Sequence, residues 1–356
     1  MLNLVKKVEV TPLFCYNESG DIMKKLKRVL KENWLYIVTI LVTIFISTYS
    51  LPCYIEAPGR MIDTTERITI ENEYSSKGSF NMTYVSQLRA TPIFYLYALI
   101  NSKWDIVKPE DNGGITQDEE IGLGKVLLKA GNKYAVKVAY EKAGLEVKVA
   151  SKDAVVGFVY KDTKSDFEIG DIIKSANGVK IGSSEELSNL MATYKIGDKV
   201  TYEVISGTKK LTRTATLIDY EGKPKIGILS IDVIKYETNP KCEFDFKNNE
   251  SGSSGGLINA LTIYNKLIKE DITKGLTIAG TGAIYEDGSV GEIGGVKYKI
   301  LGAAKSKAEI FLVPYGENYD EAVKVKRKYK LDIDIIPVKT FDEAVTALEN
   351  YKIVDK

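Results

Sequence analysis

Asn33 to Ile55 form 23 consecutive positions without a charged residue, including the run Trp34-Leu-Tyr-Ile-Val-Thr-Ile-Leu-Val-Thr-Ile-Phe-Ile46. At a rise of about 1.5 Å per residue, about 20 such residues cross a hydrocarbon layer about 30 Å thick. A core helix of a water-soluble domain rarely runs so far without one ionic side chain, so residues 33–55 read as a single transmembrane helix. Trp34 and Tyr36 at one end, with Tyr49 and Tyr54 at the other, suit the aromatic belts of two interfaces. A cleaved signal peptide fits less well, because 32 residues precede the run and no small-x-small site follows it. Lys24, Lys25, Lys27, Arg28 and Lys31 crowd the N-terminal flank, whereas residues 56–70 hold only Arg60 and Arg67 as basic groups. The positive-inside rule then puts residues 1–32 in the cytoplasm as a basic tail, and everything beyond the span outside the cell membrane.

The rest of the composition excludes whole classes of chemistry. With 49 basic against 48 acidic side chains the net charge is +1, which argues against a nucleic-acid binder that works by phosphate neutralisation. No histidine occurs. Ser-His-Asp and Cys-His mechanisms, His-bearing zinc sites and His-ligated iron are thereby removed. Cys15, Cys53 and Cys242 are too few and too scattered for a cluster or a disulfide scaffold, and no metal or other cofactor is expected. Any catalytic base must be a carboxylate, a lysine, a tyrosine or an amine.

The 356 residues allow two or three domains. Arg67–Ile70 and Ser79–Val85 read as strands joined by a polar turn. Residues 103–116 read as loop, and Thr116-x-x-Glu119 opens a helix that runs toward Gly144. Residues 56–148 thus hold extracytoplasmic strands and a helix. A β-rich pattern follows. Ala154–Tyr160 is a buried-strand run, Gly170–Gly178 a strand ending in an Asn-Gly turn, and Ser183-x-x-Glu186 a helix cap. Val200–Ile205 and Leu211–Leu217 alternate as a hairpin around Gly207. This order, with Gly170-Asp-Ile-Ile followed by Asn177-Gly178, resembles a bacterial PDZ domain over residues 149–219. The resemblance implies a groove between the second strand and the helix that accepts an extended peptide by strand addition.

From Ile226 the pattern alternates strand and helix: Ile226–Ile231, a helix from Gly255, Leu276–Ala279, Ile310–Val313, Ile333–Ile336 and a terminal helix capped by Thr340-x-x-Glu343. The Gly/Ser run Asn249–Gly256 has the composition of a linker. Yet Leu257, Ala260, Leu261, Tyr264, Leu267 and Ile268 start an amphipathic helix immediately after it. A serine at a glycine-rich helix entrance faces unpaired N–H groups that can stabilise an oxyanion. It still needs a base. Lys299 falls in the apolar stripe Val296, Ile300, Ala303, so burial can strip its hydration, whereas Lys297 points to the polar side. A lysine whose stem lies along the helix and whose amine reaches water is the competing reading.

Gly252-Ser-Ser-Gly-Gly256, Gly280-Thr-Gly-Ala-Ile284, Glu286-Asp-Gly288, Gly291-Glu-Ile-Gly-Gly-Val-Lys-Tyr-Lys299 and Ile310–Pro314 resemble, in order and spacing, the proteolytic domain of Lon proteases over about residues 225–356. That resemblance implies Ser254 as nucleophile, Lys299 as general base, Thr281 as the lysine's support, and the Ser253 and Ser254 N–H groups as oxyanion donors. Ser253 stands where the family has proline and Gly255 where it has alanine. The acidic position three before the serine is Ser251, beside Glu250. The whole order is similar to the membrane-anchored Lon-like PDZ proteases of Gram-positive bacteria, with residues 66–85 as the first strands of a protease domain that the PDZ-like module interrupts. The expected architecture is α+β: a Lon-type proteolytic domain, a β-rich PDZ-like module and one N-terminal transmembrane helix.

The expected activity is that of a serine endopeptidase using a Ser-Lys dyad on extracytoplasmic polypeptides. Gly-x₄-Gly-Lys-Ser/Thr is absent from the sequence, so no ATP is expected as partner. The family's hexameric rings imply a homo-oligomer. The alternative is an inactive membrane adaptor that binds peptides through the PDZ-like module; a signal-peptidase-like enzyme is a weaker third. Ser206-Gly-Thr-Lys209 matches Ser-x-x-Lys but falls in the expected hairpin turn.

Overall fold

The computed structural model describes residues 18–108, 115–247 and 250–353; Cys15, Pro109, Gly113, Gly114 and Asn249 lie outside them. A six-stranded sheet forms the centre. Its order is Asp334–Val338, Ile310–Pro314, Thr277–Gly280, Ser79–Arg89, Tyr54–Asp63 and Asp105–Val107. The first four strands run parallel, and the last two pair antiparallel. Ile278 sits opposite Phe80 and Gly280 opposite Met82, so strands about 200 residues apart in sequence are neighbours. The helices Gln117–Lys142, Gly256–Leu267 and Phe341–Asn350 share one core with this sheet, in which Phe80, Tyr140, Leu257, Ile258, Ile278 and Phe341 are buried. Helix Val296–Lys305 packs on strands Tyr54–Asp63 and Ser79–Arg89, closely enough that a Cβ at Gly302 would meet the Gly59 carbonyl oxygen at 2.9 Å.

A second sheet contains Ile228–Thr238, Val147–Val159, Ile172–Ala176, Lys199–Ser206, Lys209–Thr216 and Lys164–Ser165 in that order. It has its own core, with Val156, Ile173, Tyr202 and Val204 buried. The caps form where Ser/Thr-x-x-Glu places them. Thr116 and Glu119 make a reciprocal capping box, and the Ser183 and Thr340 hydroxyls accept from the N–H groups of Glu186 and Glu343. Asn177 and Gly178, at φ 47° and 80°, make the turn after Ala176.

Four expectations need adjustment. The apolar helix covers Trp34–Thr48, 15 residues, and does not continue to Ile55. Pro52 pushes Leu51 out of the helical region, and the Leu51 N–H bonds to the Ala90 carbonyl at 2.8 Å. At about 1.5 Å per residue the helix is about 22 Å long, short of the roughly 30 Å of a hydrocarbon core. Among the described residues no single helix is long and apolar enough to cross a membrane. Met23–Glu32 and Trp34–Thr48 meet the length and composition together but are bent by 77° at the break.

The second adjustment concerns Ile68–Ile70, which does not pair with Ser79–Arg89. Both edges of that strand are taken inside the main sheet, so Ile68–Ile70 pairs instead with Cys242–Phe244. Thirdly, Asp105–Val107, expected as loop, is an edge strand on Tyr54–Glu56. Finally, Ile228–Thr238 pairs along its length with Val147–Val159, so the second sheet extends beyond 149–219. Helices Pro92–Ile100 and Glu317–Tyr329 were not read from the sequence.

Candidate active site

Ser254 lies in a one-turn 3₁₀ helix, Ser253–Gly255, that leads directly into helix Gly256–Leu267. Four hydrogen bonds hold this entrance. The Gly252 N–H donates to the Gly124 carbonyl at 2.8 Å, the Gly282 N–H to the Ser254 carbonyl at 2.7 Å, and the Leu257 N–H to the Gly282 carbonyl at 3.0 Å. The Thr281 hydroxyl donates to the Ser254 carbonyl at 3.2 Å. Gly252 sits at φ 97°, where a side chain would strain the backbone. A Cβ at Gly256 would lie 2.7 Å from Ile284 Cγ2 and 2.9 Å from the Ile284 nitrogen, so glycine is required there. Ser253 and Ser254 open the helical stretch, where N–H groups have no acceptor in a preceding turn.

Lys299 stands in the first turns of helix Val296–Lys305, whose N-cap Gly295 is left-handed at φ 71°. Its residue exposure is 4%, and its Nζ donates to Thr281 Oγ1 at 3.2 Å. Among the described residues no carboxylate pairs with it. Burial therefore acts unopposed and pulls its pKa down to about 8. Lys297, two positions earlier, is paired with Asp105, which also accepts from the Tyr298 hydroxyl at 2.6 Å. The helix thus presents one lysine to a carboxylate and sinks the other.

Ser254 and Lys299 line a common cavity of about 490 Å³, together with Met82, Thr83, Arg67 and Glu250. Thr281 is buried at the back of this arrangement, accepting from the amine and donating to the Ser254 carbonyl. Thr83, from the Ser79–Arg89 strand, also lines the cavity and donates to the Gly280 carbonyl at 3.1 Å. Glu250 accepts from Arg67 Nη2 at 3.3 Å and from the Lys247 N–H at 2.9 Å, and so braces the loop before Gly252.

Several of these contributors escaped the sequence reading. Gly124 and Gly131 let helix Gln117–Lys142 approach Ser251 and Ser253; a Cβ at Gly124 would meet Ser251 Cβ at 3.0 Å. Two glycines inside a helical pattern signal such an approach. Asn132 and Asn259, both buried, link that helix to Gly256–Leu267 through a 2.8 Å bond. Met82, Thr83 and Arg67 carry no local signal, because only the strand pairing brings them near. Ser206 and Lys209 pair across the Gly207 turn of their hairpin, and neither lines the cavity that holds Ser254.

Residues 248–350 match the model of the Lon protease (S16) C-terminal proteolytic domain, and residues 142–217 match that of the PDZ domain. The chain pairs a Lon-like proteolytic region with a PDZ-like module. The chain is 33% identical over 107 residues to Lon protease 1 of Hydrogenovibrio crunogenus, covering 30% of this chain and 13% of that protein. It is 32% identical over 96 residues to the Lon protease of Xanthomonas oryzae, covering 27% of this chain and 11% of the relative. The chain therefore spans only a small part of these relatives. The PDZ domain of the SdrC-like protein from Listeria monocytogenes is 28% identical, with 24% of this chain and 93% of that one covered at a TM-score of 0.22.

In the PDZ-like module, helix Ser184–Met191 lies beside Ile228–Thr238, a strand outside the expected 149–219. The Ser184 N–H donates to Asp232 Oδ1 at 2.6 Å, and the Ser184 and Ser230 hydroxyls are 2.8 Å apart. Ile228–Thr238 is the last strand on its side of the sheet, so one backbone edge stays open among the described residues.

Proposed function

We propose that this chain is a membrane-anchored, ATP-independent serine endopeptidase that uses Ser254 as nucleophile and Lys299 as general base. The observation that carries the reading is the buried, carboxylate-free amine of Lys299 lining one cavity with Ser254 and hydrogen-bonded to Thr281. At pH 7 a pKa of about 8 leaves about one amine in ten neutral, against about one in 2,500 for an ordinary lysine. A neutral amine donates one N–H to Thr281 and keeps its lone pair for the Ser254 hydroxyl proton. The alkoxide then attacks the scissile carbonyl, and the Ser253 and Ser254 N–H groups face the resulting oxyanion. The lysine returns its proton to the leaving amine, and water releases the acyl-enzyme.

Substrates are extended polypeptides on the outer face of the cell membrane. The open edge of Ile228–Thr238 beside helix Ser184–Met191 suits capture of such a chain by strand addition. Casein hydrolysis by the detergent-solubilised full chain tests the proposal. Ser254→Ala and Lys299→Ala should each abolish cleavage. Cleavage that persists in either variant removes the dyad, and wild-type protein that binds peptide without cleaving it is the inactive adaptor.

A further inference from the structure

Helix Pro92–Ile100 is built wrongly for a surface element in water. Its sequence is Pro-Ile-Phe-Tyr-Leu-Tyr-Ala-Leu-Ile, and only Ala98 is buried. Leu96 is 64% exposed, Leu99 62% and Ile100 83%. From Ala90 to Ser102 no residue is charged, while Arg89 and Lys103 close the two ends, both exposed. Trp104 packs its ring edge-on to Tyr97 at 4.7 Å and lies 6.0 Å from Phe94.

The helix is also fixed in place. The Leu51 N–H donates to the Ala90 carbonyl at 2.8 Å, and the Ala90 N–H to the Cys53 carbonyl at 3.1 Å. Ile55, Ala90 and Ala98 form a small core with Leu51, Cys53 and Trp104 packed against it. The segment just after the apolar helix Trp34–Thr48 is therefore bonded to Ala90, two residues before Pro92. Two exposed apolar helices, one of them entirely without buried side chains, meet at this joint.

We propose that Pro92–Ile100 is an interfacial anchor that lies in the headgroup region of the leaflet from which Trp34–Thr48 emerges. The partner is the lipid surface. Leu96, Leu99 and Ile100 enter the acyl boundary, the Tyr97 and Trp104 rings sit at headgroup level, and Arg89 and Lys103 meet phosphates. The catalytic cavity is thereby held at a set distance from the membrane. This inference rests on the membrane reading of Trp34–Thr48.

The chain has two tryptophans, so single substitutions isolate each. The full chain is reconstituted in phosphatidylcholine–phosphatidylglycerol vesicles that contain a headgroup-nitroxide lipid. Trp34→Phe leaves Trp104 as reporter, and Trp104→Phe leaves Trp34. The proposal expects Trp104 emission to be lost, and to return when Leu96, Leu99 and Ile100 are all changed to Glu, while Trp34 stays quenched in both backgrounds. Quenching of Trp34 with unquenched Trp104 overturns the anchor and leaves the span standing, as does Trp104 quenching that survives the three glutamates. Unquenched Trp104 together with disulfide-linked copies of Leu99→Cys assigns the face to a second copy and also overturns it. If neither tryptophan is quenched, the membrane reading itself fails and the anchor falls with it.

Discussion

A lysine buried without a carboxylate holds its proton weakly, and the fold bears the consequence. Lys299 has its pKa lowered from 10.5 to about 8 by desolvation alone. Between those values the unfolded chain binds the proton and the folded one does not, so stability rises with pH across that window. Below about pH 8 the full penalty applies, about 3 kcal/mol. Replacing Lys299 with Met should therefore raise stability by about 3 kcal/mol at pH 7. That gain should shrink as pH climbs above 8 and vanish above 10.5. Urea unfolding of both proteins at neutral and alkaline pH reads the difference, and a gain independent of pH would show that the amine is solvated. The stripe Val296, Lys299, Ile300, Ala303 made this burial legible in the sequence. What it did not disclose was Thr281 as the amine's hydrogen-bond partner by geometry, since a sheet and a helix from separate segments have to meet first.

At the level of elements, the entrance to helix Gly256–Leu267 depends on close approach more than on side-chain chemistry. Gly255 and Gly256 look alike in sequence and differ in what surrounds them. A Cβ at Gly256 runs into Ile284 backbone at 2.9 Å, whereas one at Gly255 meets the Met82 sulfur at 3.0 Å. A thioether can shift by a few tenths of an ångström, and a strand backbone cannot. Gly256→Ala should cost about 1–3 kcal/mol and abolish acylation of Ser254, while Gly255→Ala should keep both stability and acylation. A thermal melt paired with an active-site label separates the two, and equal tolerance would mean that the entrance adapts. Helix caps were the most legible elements of all. Thr116, Ser183 and Thr340, each three residues before Glu, act within one turn and need no distant partner. Pro92–Ile100 was opaque for the opposite reason: an all-apolar stretch of nine residues shows no amphipathic period that would mark a helix face.

Across the whole molecule, order along the chain and order in space diverge. Strands Tyr54–Asp63 and Ser79–Arg89 share a sheet with Thr277–Gly280 and Ile310–Pro314, while the second sheet is built from residues in between. The chain enters that module at Val147 and leaves it at Thr238, and these two residues face each other across one antiparallel ladder. An excursion that returns to its starting point leaves the central sheet uninterrupted. Local pattern showed most strands of the second sheet, because each alternates or ends in a turn signal. It read Ile226–Ile231 as the opening of the C-terminal alternation, whereas the strand runs Ile228–Thr238 and its long-range partner Val147–Val159 decides its sheet. The one-residue alternation that marks a strand carries no information on which sheet will receive it.

One cavity, lined by both Ser254 and Lys299, carries the proposed chemistry. The direct measurement is the rate at which a peptidyl phosphonate labels Ser254, followed by intact mass from about pH 6 to about pH 10, a range that brackets the Lys299 pKa of about 8. Labelling of the wild-type protein should rise with pH, turn over at about pH 8 and reach a plateau. Lys299→Met should lose both the rate and the inflection. A label that forms on Ser254 with the same pH profile in the absence of the lysine amine would contradict the account.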